Sequence, residues 1–422
     1  MAGYLITGQK EQCYGCEACV QICPHKAIFM KTDSEGFRYP SVCMEACVHC
    51  GLCHSACPVE NPPSCSHGNP IVFGGRHKEK GIRESSTSGG VFTALAQEWF
   101  DGGGVVFGAQ AKGLQVFHTC IAQSGDLKKI RRSKYIQSHI GDSFRQVRDF
   151  LSVGRKVLFS GTPCQIAGLK TYLGNASLEN LLTVEVICEG VPSPLFIQKY
   201  SNWIEKRYRI PVCSVDYRYK DKRKWDFQVM RVRLQDGRCI KTDRWFNPYW
   251  HIWLSHLMSR PSCYECPFAC RERIADLSLG DLWGVHIYCP ELYGGNQGAS
   301  LILCNTQKGR DVLRSAGNHL CGHRLDFEAA VRYQSPLRSP IIRNPQRETF
   351  LEDLRHLDYR DLCKKWYPGP SLVLLWQKYV WGNRQKVFCW AISQKLIALR
   401  REKITERSVS FLPDQVRPKN YL

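Results

Sequence analysis

Two runs of cysteine near the amino terminus have the spacing of cluster chemistry. The first is Cys13-Tyr-Gly-Cys16-Glu-Ala-Cys19-Val-Gln-Ile-Cys23-Pro24; the second is Cys47-Val-His-Cys50-Gly-Leu-Cys53-His-Ser-Ala-Cys57-Pro58. Each reads C-x2-C-x2-C-x3-C-P. Three thiolates two residues apart can wrap a short loop round one face of a cubane, while the fourth, stopped by proline, points to a neighbouring cluster. Two such runs therefore bind two 4Fe-4S clusters crosswise. Cys13, Cys16, Cys19 and Cys57 are expected to hold one, and Cys47, Cys50, Cys53 and Cys23 the other. Gly15 and Gly51 permit the tight loops, and Ile22 and Ile28 are expected to pack against the clusters. Zinc sites draw on separated cysteine or histidine pairs, and a third cysteine two residues on fits them poorly.

Roughly residues 8 to 60 resemble bacterial-type two-cluster ferredoxins, which implies an α+β ferredoxin-like module over residues 1–66. The Pro/Ser/Asn stretch from Asn61 to Pro70 breaks helix and strand and reads as its linker. Beyond it, short apolar runs alternate with helical spacing. Strands are expected at Ile71–Gly75, Gly104–Ala109, Lys156–Ser160, Leu182–Cys188 and Ser300–Asn305. Helices are expected over Gly90–Phe100, Gln165–Leu173 and about Leu195–Arg207, and a hairpin near Asp236-Gly237. Strand, turn, helix, strand, loop, helix is the sign of an α/β layer, whose ligands sit outside the carboxyl ends of the strands. The turns after Ser160 and Cys188 lie there.

Several stretches resemble the beta subunits of coenzyme F420-dependent hydrogenases and dehydrogenases, F420 being a deazaflavin. They are Ser86-Thr-Ser-Gly-Gly-Val-Phe-Thr-Ala-Leu, Arg132-Ser-Lys-Tyr-Ile-Gln-Ser, Val157-Leu-Phe-Ser-Gly-Thr-Pro-Cys-Gln-Ile-Ala-Gly-Leu-Lys, Cys188-Glu-Gly-Val-Pro-Ser and Cys263-Tyr-Glu-Cys266 with Gly280-Asp-Leu-Trp-Gly. The resemblance implies an α/β flavin-binding domain with a mixed sheet over residues 70–335, in parts 70–150 and 151–335. It also implies FAD, a third 4Fe-4S cluster on Cys164, Cys188, Cys263 and Cys266, and electron transfer between the clusters and a two-electron substrate such as F420. Cys270 offers a rival to Cys266 as ligand.

The residues support a flavin site separately. Ser88-Gly89-Gly90 opens a helix whose free N–H groups and dipole suit a pyrophosphate. Ser160-Gly161-Thr162-Pro-Cys164-Gln165 repeats that arrangement and adds a thiol at a helix start. Lys134 is a candidate for contacting flavin or substrate, and Asp281 for cofactor binding or for capping a turn. A cluster carries electrons singly whereas hydride chemistry needs two, so a flavin belongs between them. The alternative is an electron-transfer subunit without its own substrate, serving a partner oxidoreductase or a membrane-associated biosynthetic enzyme. In either case the expected partners are a ferredoxin or partner oxidoreductase subunit, and a small hydride carrier or other reducible substrate.

The chain has 422 residues and a formal charge of +20. Charge without a nucleic-acid-binding motif argues for a solvated surface rather than a nucleic-acid partner. No signal peptide or spanning apolar segment is read, so a cytoplasmic protein with reduced thiols is expected. Residues 336–422 form a basic helical tail; from Arg343 it holds 16 Lys and Arg against 8 Asp and Glu, with Trp366, Trp376, Trp381 and Trp390. Peripheral contact with an anionic membrane is one use of such a tail. Packing of Leu372, Leu375, Tyr379, Phe388 and Ile392 on the catalytic domain is the favoured one.

Overall fold

The computed structural model describes residues 1–379 apart from 66–69, 222–224, 226–227, 286–288 and 294–295, and beyond 379 only Ile392 and Leu396. In the first domain the left-handed residues Gly15 (φ +65°) and Gly51 (φ +76°) turn the cysteine loops toward short helices at Ala18–Ile22 and Leu52–Ser55. Between them β1 (Ile28–Thr32) pairs antiparallel with β2 (Arg38–Val42). Asp33 closes that turn by accepting from the Glu35 and Phe37 amides, both at 2.9 Å. Ile28 is buried and Ile22 half-buried.

The second domain is built on a mixed eight-stranded sheet. Its strands are β3 (Ile71–His77), β4 (Val105–Lys112), β5 (Gln115–Ile121), β6 (Val157–Gly161), β7 (Leu181–Val186), β11 (Leu277–Asp281), β12 (Ser300–Cys304) and β13 (Leu320–Arg324), in the order β13-β3-β12-β11-β7-β6-β4-β5. The four central strands β11, β7, β6 and β4 run parallel. Val157, Leu158 and Phe159 are all fully buried because both faces of the sheet are covered. Leu158 and Val106 pack with Leu95 and Trp99 of the helix Val91–Asp101. Phe107 and Phe159 pack with Phe144 of the helix Ser143–Ser152 and with Ile166 and Leu169 of the helix Pro163–Leu173.

A smaller antiparallel sheet, β8 (Val212–Tyr219), β9 (Val229–Leu234) and β10 (Cys239–Thr242), extends the expected hairpin by one strand. It shares a core with the helices Pro194–Tyr208 and Pro248–Leu254 through Phe196, Tyr249 and Trp250. Phe350, Leu351, Leu354, Tyr359 and Leu362, from the helices Arg347–His356 and Tyr359–Trp366, complete that core. The first part of the basic tail thus folds back on the second domain. The next helix, Leu372–Tyr379, does not follow the expected face: Leu372 is 84% exposed and Trp376 50% exposed, while Leu375 is half-buried. Ile392 is exposed, and the side chains of Tyr379, Trp381, Phe388 and Trp390 lie outside the described residues. Among the described residues no helix is long and apolar enough to cross a membrane.

Sequence periodicity misses β11 because Ser278 and Gly280 interrupt its apolar residues. Ser278 is nevertheless fully buried, and its hydroxyl donates to Glu185 Oε1 of β7 at 2.6 Å. A side-chain bond across the sheet satisfies what local pattern reads as polar.

Candidate functional site

The two domains meet along the first cysteine loop. Cys13 and Cys16 are buried, Cys19 and Cys57 half-buried; of the other set, Cys23, Cys47 and Cys53 are half-buried and Cys50 is exposed. Burial raises the pKa of the Cys16 and Cys19 thiols, and their neighbours Cys13 and Cys57 raise both further. The Cys53 thiol is raised by burial and by Cys50 and Cys23. Cys57 thus lies near Cys13, Cys16 and Cys19, and Cys23 and Cys50 lie near Cys53, which itself also neighbours Cys19. The Gly15 amide donates to Cys13 Sγ and the Ala27 amide to Cys23 Sγ, each at 3.4 Å.

The helix Pro163–Leu173 backs the first set. A Cβ at Gly168 would stand 2.8 Å from Cys16 Sγ, and Thr171 Oγ1 donates to the Ala56 carbonyl at 2.7 Å. Gln21 accepts from the Phe144 amide (2.9 Å), and Glu17, paired with Arg38, accepts from the Gly141 amide (3.1 Å).

A cavity of about 580 Å³ opens outside the carboxyl ends of β6, β7 and β11. Cys164, Cys188, Cys263 and Cys266 all line it, as do Ser88, Gly90, Ser160, Gly161, Thr162, Gln165, Lys134 and Asp281. Tyr14 of the first domain reaches the same space. Burial raises all four thiols, and Cys263 and Cys164 raise Cys188 and Cys266 further. Metal binding would draw such thiols into the thiolate form, since the ligand must be deprotonated. Gly190, at φ +87°, folds the loop after Cys188 onto Cys263; a Cβ there would lie 3.5 Å from Cys263 Sγ. Cys270 is apart from this group, its thiol donating to the Pro267 and Glu272 carbonyls at 3.3 Å. Among the described residues no three His, Cys, Asp or Glu side chains converge on a point fit for a single metal ion. A cubane takes one ligand per iron and needs no such convergence.

The polar candidates divide by what their side chains already do. Gln165 completes a capping box with Thr162, accepting from its amide at 3.0 Å, and donates to Ser138 Oγ at 2.9 Å. Ser160 Oγ donates to the Phe107 carbonyl at 3.0 Å, and Ser88 Oγ to the Ala299 carbonyl. Gly89 is packing: a Cβ there would meet the Gly75 carbonyl at 2.5 Å. Asp281 accepts from Arg218 Nη1 at 2.8 Å and from Trp225 Nε1 at 3.2 Å. The Thr162 and Gly89 amides are themselves engaged, by Gln165 Oε1 and Ser300 Oγ at 3.0 Å each, so what a pyrophosphate would use here is the first amides of the two helices.

Lys134 Nζ donates to the Arg131 carbonyl at 2.7 Å; burial lowers its pKa to about 7, against the upward pull of Asp216 and with the help of Arg132. Sequence reasoning passes over Arg218, Arg244 and Arg260, all on the cavity wall. Arg218 is 4% exposed, and its Nη2 is buried without a hydrogen-bond partner, an orphan donor that fits an anionic group in the cavity. Among 58 Lys and Arg nothing local marks these three.

Comparison with known proteins agrees with this layout. Residues 12–61 match the family model of the 4Fe-4S dicluster domain, and residues 154–322 match the model for the C terminus of the coenzyme F420 hydrogenase/dehydrogenase beta subunit. An uncharacterized polyferredoxin-like protein of Methanocaldococcus jannaschii is 41% identical over 58 residues, 12% of this chain and 34% of that protein. The ketoisovalerate oxidoreductase subunit VorC of Methanothermobacter marburgensis is 36% identical over 52 residues, 12% of this chain. The chain spans 34% and 66% of these two relatives' own lengths. A solved structure of the F420-reducing NiFe hydrogenase complex from Methanosarcina barkeri aligns with 71% of this chain and 91% of its own, at 17% identity and a TM-score of 0.42. The two family matches fall in the order and at the positions where the cysteine runs and the cavity lie: the chain carries an N-terminal 4Fe-4S dicluster domain, followed by a region similar to the C terminus of the coenzyme F420 hydrogenase/dehydrogenase beta subunit.

Proposed function

We propose that the chain passes electrons between its 4Fe-4S clusters and a two-electron substrate such as coenzyme F420, by way of FAD and a third cluster in the cavity. The observation that carries this reading is the meeting, in one cavity, of four half-buried cysteines from three separate loops with two helix starts and the orphan Arg218 donor. Cys164, Cys188, Cys263 and Cys266 would hold the cluster. The turns at Ser88–Gly90 and Ser160–Thr162, with Arg218, would hold the flavin. When bound, FAD exchanges electrons singly with clusters and in pairs with a hydride carrier. The chain's own part is to bury the thiols, present backbone donors to a pyrophosphate, and hold Lys134 and Arg218 at the cavity wall.

Anaerobically purified protein tests this. It should release FAD and hold roughly twelve iron and twelve sulfide atoms per chain, as three cubanes require. Protein with eight irons and no flavin would sink the proposal. With cofactors present, bleaching of the flavin by reduced F420, NAD(P)H or reduced ferredoxin identifies which reductant serves.

A further inference from the structure

Arg260 is the largest fully buried side chain among the described residues, and it lies at the seam between the domains. Its Nε donates to the Cys13 carbonyl (2.9 Å), Nη1 to Gln137 Oε1 (2.9 Å) and Nη2 to the Arg38 carbonyl (3.1 Å). The guanidinium stacks 4.3 Å from the Tyr39 ring centroid and 5.5 Å from that of Phe37. Gln137 Nε2 in turn donates to the Tyr14 and Gly15 carbonyls at 2.8 and 3.2 Å. Every donor contact is to a neutral oxygen. Among the described residues no carboxylate pairs with Arg260. A charge buried without a counter-charge is destabilising. The ionisable groups that bear on it most are Cys13 of the first run, the Tyr39 hydroxyl, and Cys263 and Cys164, which line the cavity together with Arg260.

We propose that Arg260 is a shared counter-charge for two clusters, the one on Cys13, Cys16, Cys19 and Cys57 and the one in the cavity, and that it sets the potential at which electrons cross between them. The proposal rests on the ligand reading above. A cubane held by four thiolates is anionic and becomes more so on reduction, so a fixed cation beside it favours the reduced state. One guanidinium touching the ligand loop of one cluster and facing two ligands of the other raises both potentials together. Electron transfer between them then stays close to balanced, as a reversible relay needs. Arg260 is thus a positioning residue that also carries a functional charge.

The test is a potentiometric EPR titration of the full chain, reconstituted anaerobically. Wild type must first show three clusters; fewer would overturn the ligand reading, whatever Arg260 does. Arg260→Gln keeps a donor for the Cys13 carbonyl but removes the charge. It should keep full iron and shift the reduction equilibria of two clusters at least tenfold toward the oxidised form, about 59 mV for a one-electron couple. The outer cluster, the one on Cys47, Cys50, Cys53 and Cys23, should stay where it was. Arg260→Lys should remain within threefold of wild type, whereas a merely structural role would leave Gln and Lys alike. Should Arg260→Gln fail to assemble, Gln137→Glu decides: it sets a carboxylate on Nη1, pairs the charge in place, and should lower the same two potentials. Fully loaded Arg260→Gln or Gln137→Glu protein with unshifted potentials overturns the proposal.

Discussion

Cys266 and Cys270 differ by four positions and a whole environment. Cys266 lines the cavity and is raised in pKa by burial and by Cys263 and Cys164, whereas Cys270 donates to two carbonyls away from them. Removing Cys164 or Cys266 should therefore cost roughly four irons per chain, one cubane's worth. Cys270→Ala should keep them all. Iron analysis of the three anaerobic variants decides, and a Cys270→Ala protein short of four irons would reverse the assignment. Lys134 gives a second test. Its folded pKa of about 7 lies below the ordinary value of 10.5, so between these limits the unfolded chain binds more protons. Stability must then rise with pH from about 7 to 10 relative to Lys134→Met, by about 2 kcal/mol once water reaching the cavity is allowed for. Denaturant titrations of the two proteins at pH 6.5 and 9.5 measure it; parallel pH dependences would contradict it. At this scale the sequence was legible where ligands sit at fixed offsets on one loop. It was silent on Arg218 and Arg260, whose burial is created by segments far away in the chain.

The helix Pro163–Leu173 joins both sites: its first turn presents Cys164 to the cavity and its middle lies against Cys16. Gly168 in that middle runs against helix propensity, by about 1 kcal/mol relative to alanine. Its place is explained by Cys16, whose Sγ and Cβ would both lie 2.8 Å from an added Cβ. Overpacking at such a seam costs about 1–3 kcal/mol, so Gly168→Ala should be net destabilising although it improves the helix. It should also loosen the inner cluster, read as faster loss of iron to a chelator at unchanged outer-cluster EPR. A more stable Gly168→Ala protein with normal iron retention would show that the contact yields freely. Elements such as β6 and this helix could be read in advance because both faces are apolar and the Thr162 cap is local. By contrast, β11 depends on the Ser278–Glu185 bond, β5 on its antiparallel pairing with β4, and the cysteine quartet on three loops more than twenty residues apart. The family resemblance, not periodicity, brought that quartet together.

Among the described residues Cys50 of the second run is exposed, Cys13 and Cys16 of the first run are buried, and the four cavity cysteines are half-buried. The seam between the domains is fixed by the Gly141–Glu17 hydrogen bond and the Glu35–Arg347 ion pair, at 3.1 and 2.6 Å, as well as by Arg260. Only the outer cluster of the proposed three presents an exposed ligand, so single electrons should enter and leave there, while the two-electron substrate works at the cavity. Cys50→Ala separates the two ends. It should lose roughly four irons and keep the other eight. Reduction of the flavin by a two-electron donor should be unaffected, because that step needs no outer cluster. Onward transfer to an external one-electron acceptor protein should fall by at least ~tenfold, since the remaining clusters lie beneath the surface. Stopped-flow absorbance resolves the two steps in one experiment. If the variant lacks those four irons and still delivers electrons at the wild-type rate, the path does not run through the first domain's outer cluster, and the buried face around Cys13 would have to open during turnover.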